Sequence, residues 1–186
     1  MNCIILSGSR NPEGQTARAA AAVSEGVQAA GGACRTIFLP TMKIERCRQC
    51  GNDGWGKCRS EARCSIDDDF APILADIVKA DAVVFATPVY FSDLSESLRA
   101  FLDRLRRIAR FDDNRAGIGQ KPAAGVCVAG GGGGGAPQCS AILNGILATC
   151  GFDIVDMIPV RRQNLESKLP ALQEMGRRLA GSGMEY

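Results

Sequence analysis

At 186 residues, with 46% hydrophobic and 23% charged residues, the chain has the size and composition of an ordinary single globular domain. A formal net charge of +2 excludes the strongly basic surface of a nucleic-acid-binding or membrane-surface protein. No apolar run approaches the roughly 18 residues that cross a bilayer, and the absence of histidine removes every mixed cysteine–histidine zinc site.

The chain opens on an apolar run, Asn2 to Leu6, read as a buried strand. MNCIILSGSR lacks both a basic start and a long apolar segment, so it does not read as a secretory signal. An alanine-rich helix follows from Gln15 to Ala30, stopped by Gly31 and Gly32. Cys34 to Leu39 forms a second strand, ended by Pro40. Asp67, Asp68 and Asp69 then open a helix in which Ile73, Leu74, Ile77 and Val78 follow a helical period. Carboxylates in a first helical turn suit the helix dipole, which accounts for the acidic cluster without a metal.

Ala82 to Ala86 is a continuous apolar strand of the kind covered by helices on both faces. Leu94 to Arg110 reads as a helix with Leu98, Phe101, Leu102, Leu105 and Ile108 on one stripe. Its arginines Arg104, Arg106, Arg107 and Arg110 read as a solvated or subunit-facing face. Strands over Ala123–Ala129 and Phe152–Ile158 follow, with helices near Gln138–Cys150 and Glu166–Leu179, the last covering the terminal region. Five β–α units in sequence predict an α/β fold, a doubly wound parallel sheet in one domain over residues 1–186.

Residues 40–66 are too long for an ordinary connection and hold four of the nine cysteines: Cys47, Cys50, Cys58 and Cys64. Cysteine this dense in a long chain points to a metal or cluster site more than to a disulfide scaffold. Without histidine, an all-thiolate iron–sulfur cluster or a four-cysteine zinc ion fits, as do redox-active free thiols. An odd cysteine count, with Cys3, Cys127 and Cys150 inside apolar runs, suits core packing in a reducing cytoplasm.

Ligands of open α/β sheets bind beyond the carboxyl ends of the strands. Three loops occupy that edge. Ser7 to Thr16, SGSRNPEGQT, offers hydroxyls, backbone N–H groups and a helix N-terminus to a phosphate, with Arg10 as a charged partner. It matches neither a Walker A loop nor the G-x-G-x-x-G fingerprint. Thr87 to Asp93, TPVYFSD, puts Tyr90 and Phe91 where they can flank a planar ligand. Ala129 to Pro137 carries six consecutive glycines, which let backbone approach a flat ring closely. A phosphate cradle, an aromatic wall and a glycine floor together suit a mononucleotide.

With GSRNPEGQT, the cysteine loop ending CSIDDDF, DAVVFATPVYF, LRAFLDRL and the glycine loop in this order, the chain resembles the flavodoxin-like NAD(P)H-dependent FMN reductases. Within them it is similar to the iron–sulfur flavoproteins, over Met1 to about residue 160. The resemblance implies a five-stranded parallel sheet in the order 2-1-3-4-5 with FMN at the switch point. It implies that Ser9, Arg10, Gly14, Gln15 and Thr16 hold the FMN phosphate. Pro88, Val89, Tyr90, Phe91 and Ser92 would line the isoalloxazine, and Gly130, Gly131, Gly132 and Gly135 its other edge. Cys47, Cys50, Cys58 and Cys64 would ligate a [4Fe–4S] cluster. Their spacing, C-x2-C-x7-C-x5-C, departs from the family's C-x2-C-x2-C-x5-C by a glycine-rich insertion around GNDGW.

The activity so implied is hydride transfer from NAD(P)H to FMN N5, with electrons passing on to the cluster or to a small-molecule or protein acceptor. A non-turnover electron carrier and a cluster-free quinone or azo reductase are the alternatives. Asp103 and Arg104 are expected to form a structural ion pair. Association as a homodimer or homotetramer is also implied, with the stripe of the Leu94–Arg110 helix compatible with it.

Overall fold

The structure is a computed structural model that describes residues 1–111, 113 and 115–181. Five parallel strands form its centre: β1 (Asn2–Ser7), β2 (Ala33–Phe38), β3 (Ala82–Pro88), β4 (Pro122–Ala129) and β5 (Asp153–Arg161). Their spatial order is β2-β1-β3-β4-β5, the doubly wound arrangement expected. The winding reverses between β1 and β3, so the crevice of a topological switch point opens above the ends of these two strands.

The helices divide between the two faces. Helices α1 (Gln15–Ala29) and α6 (Leu165–Ala180) cover one face through Ala19, Val23, Val27, Leu172, Met175 and Leu179. The short α2 (Lys57–Ser60) lies in the cysteine-rich loop. Helices α3 (Phe70–Lys79), α4 (Glu96–Ala109) and α5 (Ala136–Cys150) cover the other face. Double coverage is why β3 is buried from Ala82 to Thr87 and carries no alternation of polar residues.

Helices α1 and α6 meet backbone to backbone. A Cβ on Gly26 would lie 1.9 Å from the Gln173 carbonyl oxygen, and one on Gly176 would lie 2.1 Å from that of Val23. The small residues of α1 thus set how closely α6 can approach.

Two expectations for α4 need correction. Its stripe of Leu98, Phe101, Leu102, Leu105 and Ile108 is buried in the chain's own core, so none of it is left for a subunit contact. Its arginines divide: Arg106 and Arg110 are exposed, as a solvated face requires, but Arg104 and Arg107 are not part of it. Arg104 is 2% exposed, and Arg107 lies with its guanidinium carbon 4.0 Å from the centroid of the Trp55 ring. Both turn toward the cysteine-rich loop, where carbonyls, a carboxylate and an aromatic face receive them. Among the described residues no helix is long and apolar enough to cross a membrane.

Candidate functional site

Strands β1, β3 and β4 end together at one sheet edge, around a cleft of about 480 Å³. Ser9, Gln15 and Thr16 form one side of it, Pro88, Val89 and Tyr90 a second, and Gly130, Gly131 and Gly134 a third. The first loop folds on itself: the Asn11 side-chain carbonyl accepts the Glu13 N–H at 2.9 Å, and the Ser9 hydroxyl donates to the Asn11 carbonyl at 3.4 Å. Gly14 then caps α1 with no side chain on the helix end. The first-turn N–H groups of α1 therefore keep the orientation that favours an anion.

The second loop is anchored beneath the cleft. Thr87 Oγ1 donates to the Pro88 carbonyl at 2.9 Å and accepts the Ser95 N–H at 3.0 Å. The Ser97 hydroxyl donates to the Gly8 carbonyl at 3.3 Å, tying this loop to the first. Tyr90 and Asp93 exchange backbone hydrogen bonds of 3.0 and 2.9 Å, and Asp93 is paired with Arg99. The turn between them holds Phe91 and Ser92 at φ +50° and +66°, uncommon for residues other than glycine.

The third loop meets the second at Gly135, whose φ is +81° and whose added Cβ would fall 2.8 Å from Ser92 Cα. At Gly130, Gly131, Gly132 and Gly134 an added Cβ would meet nothing within 4 Å. The floor of the cleft is thus bare backbone with open space above it, which fits a flat heterocycle. Gln163 was not anticipated from sequence; its side-chain amide donates to the Gly131 carbonyl at 3.1 Å and pins this loop from the turn after β5.

Of the predicted phosphate and ring contacts, Ser9, Gln15, Thr16, Pro88, Val89, Tyr90, Gly130 and Gly131 line the cleft. Arg10, Gly14, Ser92, Gly132 and Gly135 do not line it, and Arg10, Ser92 and Gly132 are exposed. The Phe91 ring points fully into solvent, while Tyr90 is 48% exposed. A single aromatic side chain therefore walls the cleft.

A second, narrower cavity, of about 20 Å³, lies beneath the cysteine-rich loop. Cys47, Cys50, Cys58 and Cys64 all line it, with Trp55, Arg104 and Arg107. The Cys58 thiol donates to the Trp55 carbonyl. Among the described residues no three thiols or carboxylates converge closely enough to hold a single metal ion. The donor set nonetheless fits a thiolate-bound cluster. Four sulfurs share one void, no acid competes, and the Arg104 and Arg107 Nε–H groups are buried there without a hydrogen-bond partner.

Arg104 joins both stems of this loop. It donates to Asp68 at 2.7 and 2.9 Å, to the Glu45 carbonyl at 3.1 Å and to the Ile66 carbonyl at 3.4 Å. The expected pairing with Asp103 does not occur; Asp103 pairs with Arg106 at 2.9 Å. Neighbours on a helix point about 100° apart, so Asp103 cannot follow Arg104 into the loop. The acidic cluster is also more than a helix-dipole device. Besides Arg104, Asp68 accepts the N–H groups of Glu45 and Phe70, and Asp69 accepts that of Lys43. Burial alone would raise the Asp68 pKa, but Arg104 and the two N–H donors outweigh it and hold the carboxyl below its ordinary range.

Residues 1–164 match the family described as NADPH-dependent FMN reductase. An iron–sulfur flavoprotein of Methanocaldococcus jannaschii is 30% identical over 131 residues, 70% of this chain and 65% of that protein. Another, of Methanosarcina thermophila, is 33% identical over 69 residues, 37% of this chain and 34% of that protein. The chain thus aligns with less than two thirds of the length of either relative. Among solved structures, an NAD(P)H:quinone oxidoreductase from Methanothermobacter marburgensis shares the fold. Its TM-score is 0.74 at 24% identity, covering 100% of this chain and 99% of that one.

Proposed function

The chain belongs to the NADPH-dependent FMN reductase family, and from that premise we propose that it is an FMN-dependent oxidoreductase that takes hydride from NAD(P)H. The observation that carries the reading is the meeting of three strand-end loops at one cleft whose floor is bare glycine backbone. Bound FMN supplies two-electron acceptance from a nicotinamide and release in single or paired steps.

The residues of the chain bind and orient. The Ser9 and Thr16 hydroxyls, the Gln15 amide and the free N–H groups of α1 hold the phosphate, aided by the helix dipole. Pro88, Val89 and Tyr90 wall one side of the ring, and Gly130 to Gly134 admit it from below. Ser92 and Gly135 keep the two walls in register. No histidine is present, and the proposed chemistry needs no side-chain acid or base.

We further propose that Cys47, Cys50, Cys58 and Cys64 bind a [4Fe–4S] cluster, which supplies single-electron transfer. Their shared cavity supports this, as do the two unpartnered arginine N–H groups, since four thiolates concentrate negative charge. Electrons would leave to a small-molecule or protein acceptor, from a cytoplasmic homodimer or homotetramer.

Anaerobic purification with iron, sulfide and flavin analysis tests both parts. About one FMN and four iron per chain is the expected result, with bleaching of the flavin by NADH or NADPH. Absence of FMN from protein supplied with it overturns the oxidoreductase reading. FMN without iron overturns the cluster and leaves a quinone- or azo-type reductase. Flavin that NAD(P)H does not bleach leaves a carrier without turnover.

A further inference from the structure

Cys3 and Cys34 stand directly opposite each other on the paired strands β1 and β2. Adjacent strands lie about 4.8 Å apart, within the roughly 4.4–6.8 Å of Cα separation that a disulfide spans. As register partners they share one sheet face, the one covered by α1 and α6, and the Cys3 Sγ lies 3.9 Å from the Ile4 carbonyl oxygen. Both positions also border an open cleft of about 290 Å³ lined by Ile4, Arg35, Asp76 and Lys79, which belongs to the opposite, α3-covered face. That cleft lies at the amino ends of the strands, away from the loops that wall the proposed flavin site.

The two thiols are unequal. Cys3 is 4% exposed, whereas Cys34 is partly open to solvent. The Cys3 thiol and, against the effect of burial, the Ser24 hydroxyl stabilise the Cys34 thiolate and lower its pKa to about 7. The same contact, with burial, pushes the Cys3 thiol upward. An accessible nucleophile thus has a protonated thiol directly behind it, the arrangement of an attacking and a resolving cysteine.

We propose that Cys34 and Cys3 form a peroxide-oxidised dithiol site, with Cys34 reacting first and Cys3 resolving it to a disulfide. The Cys34 thiolate attacks a peroxide oxygen: an S–O bond forms, the O–O bond breaks, and the displaced oxygen leaves as water after taking a proton. The Cys3 sulfur then attacks Cys34, forming S–S and breaking S–O. The hydroxide released takes the Cys3 proton. Two thiols and one hydrogen peroxide thereby give one disulfide and two waters. This site is independent of flavin and of any cluster. Cys127 and Cys139 also interact but are both 0% exposed, as is Cys150; these three serve as internal controls.

The test treats the full chain with one equivalent of hydrogen peroxide, alkylates the remaining thiols after denaturation, and maps tryptic peptides by mass. Cys3 and Cys34 fall on separate peptides, as do the loop cysteines from either. The expected product is a Cys3–Cys34 cross-link reversed by dithiothreitol, with Cys127, Cys139 and Cys150 alkylated. In Cys3→Ser, dimedone should label Cys34; in Cys34→Ser, Cys3 should stay unoxidised. Cys34→Ala repeats the second arm if the serine variant unfolds. Free Cys3 and Cys34 in oxidised wild type, or unchanged Cys3 oxidation without Cys34, overturns the proposal.

Discussion

Arg104 and Asp68 face each other as a two-point ion pair, with side chains 1% and 0% exposed, between helix α4 and the residue two before α3. One partner without the other would leave a buried charge uncompensated. Asp68→Asn is therefore expected to cost about 3–5 kcal/mol of unfolding free energy, measured by urea titration of the purified protein. Because the Asp68 pKa is lowered in the fold, its contribution is complete above the ordinary carboxylate value, about 3.9. It is lost as pH falls through the lower folded value. Wild type and variant should accordingly converge in stability below about pH 4. A difference that stays constant through that range would contradict the assignment.

Trp55 is the only tryptophan of the chain and lines the cysteine cavity. Its fluorescence should fall steeply when iron and sulfide are supplied to the iron-free protein, in step with the visible absorbance of the cluster. Trp55→Phe should remove the signal and spare the absorbance. A rise in visible absorbance with unchanged Trp55 emission would put the cluster elsewhere.

Arg107 caps the same cavity, donating to the Gly54 carbonyl while its Nε–H has no partner. A cation beside a cluster favours the reduced, more negative state. Arg107→Gln is expected to move the reduction potential to more negative values in an anaerobic redox titration. An unchanged potential at full iron content would show that the Arg107 charge is screened from the site.

Adjacent glycines separate folding from binding. A Cβ on Gly134 meets nothing in the protein, so Gly134→Ala should leave the melting temperature unchanged while weakening FMN binding about tenfold, or ~1.4 kcal/mol. Gly135→Ala places a Cβ on Ser92 at φ +81° and should destabilise the fold by about 1–3 kcal/mol. Flavin titration and thermal unfolding of both variants read the contrast directly.

Gly26→Ala forces α1 away from the Gln173 carbonyl. Overpacking of this kind typically costs about 1–3 kcal/mol, or some 2–12 °C in a chain of this size. Loss of that order in thermal unfolding is expected, with the flavin cleft intact in the folded fraction.

Much of this molecule is written locally in its residues. The run AVVFATP can only be a strand covered on both sides, and the period of Leu98, Phe101, Leu102, Leu105 and Ile108 sets which face of α4 turns inward. Hydroxyls and glycines directly after strands announce the cleft, because turn chemistry and helix starts depend on near neighbours. The density of four cysteines in one loop, in a chain without histidine, marks a candidate donor set from sequence. Contacts distant in sequence are another matter. Arg104 chooses Asp68, 36 positions away, over the adjacent Asp103, because α4 presents that side to the loop. Phe91 turns outward because a two-residue left-handed turn carries it past the cleft. Cys3 meets Cys34 only through the register of two strands separated by a helix. Near-neighbour patterning is enough for the elements, their order and the chemistry available at each loop. Which charges and thiols are partners follows from how helices and strands are laid against one another, and no local pattern carries that.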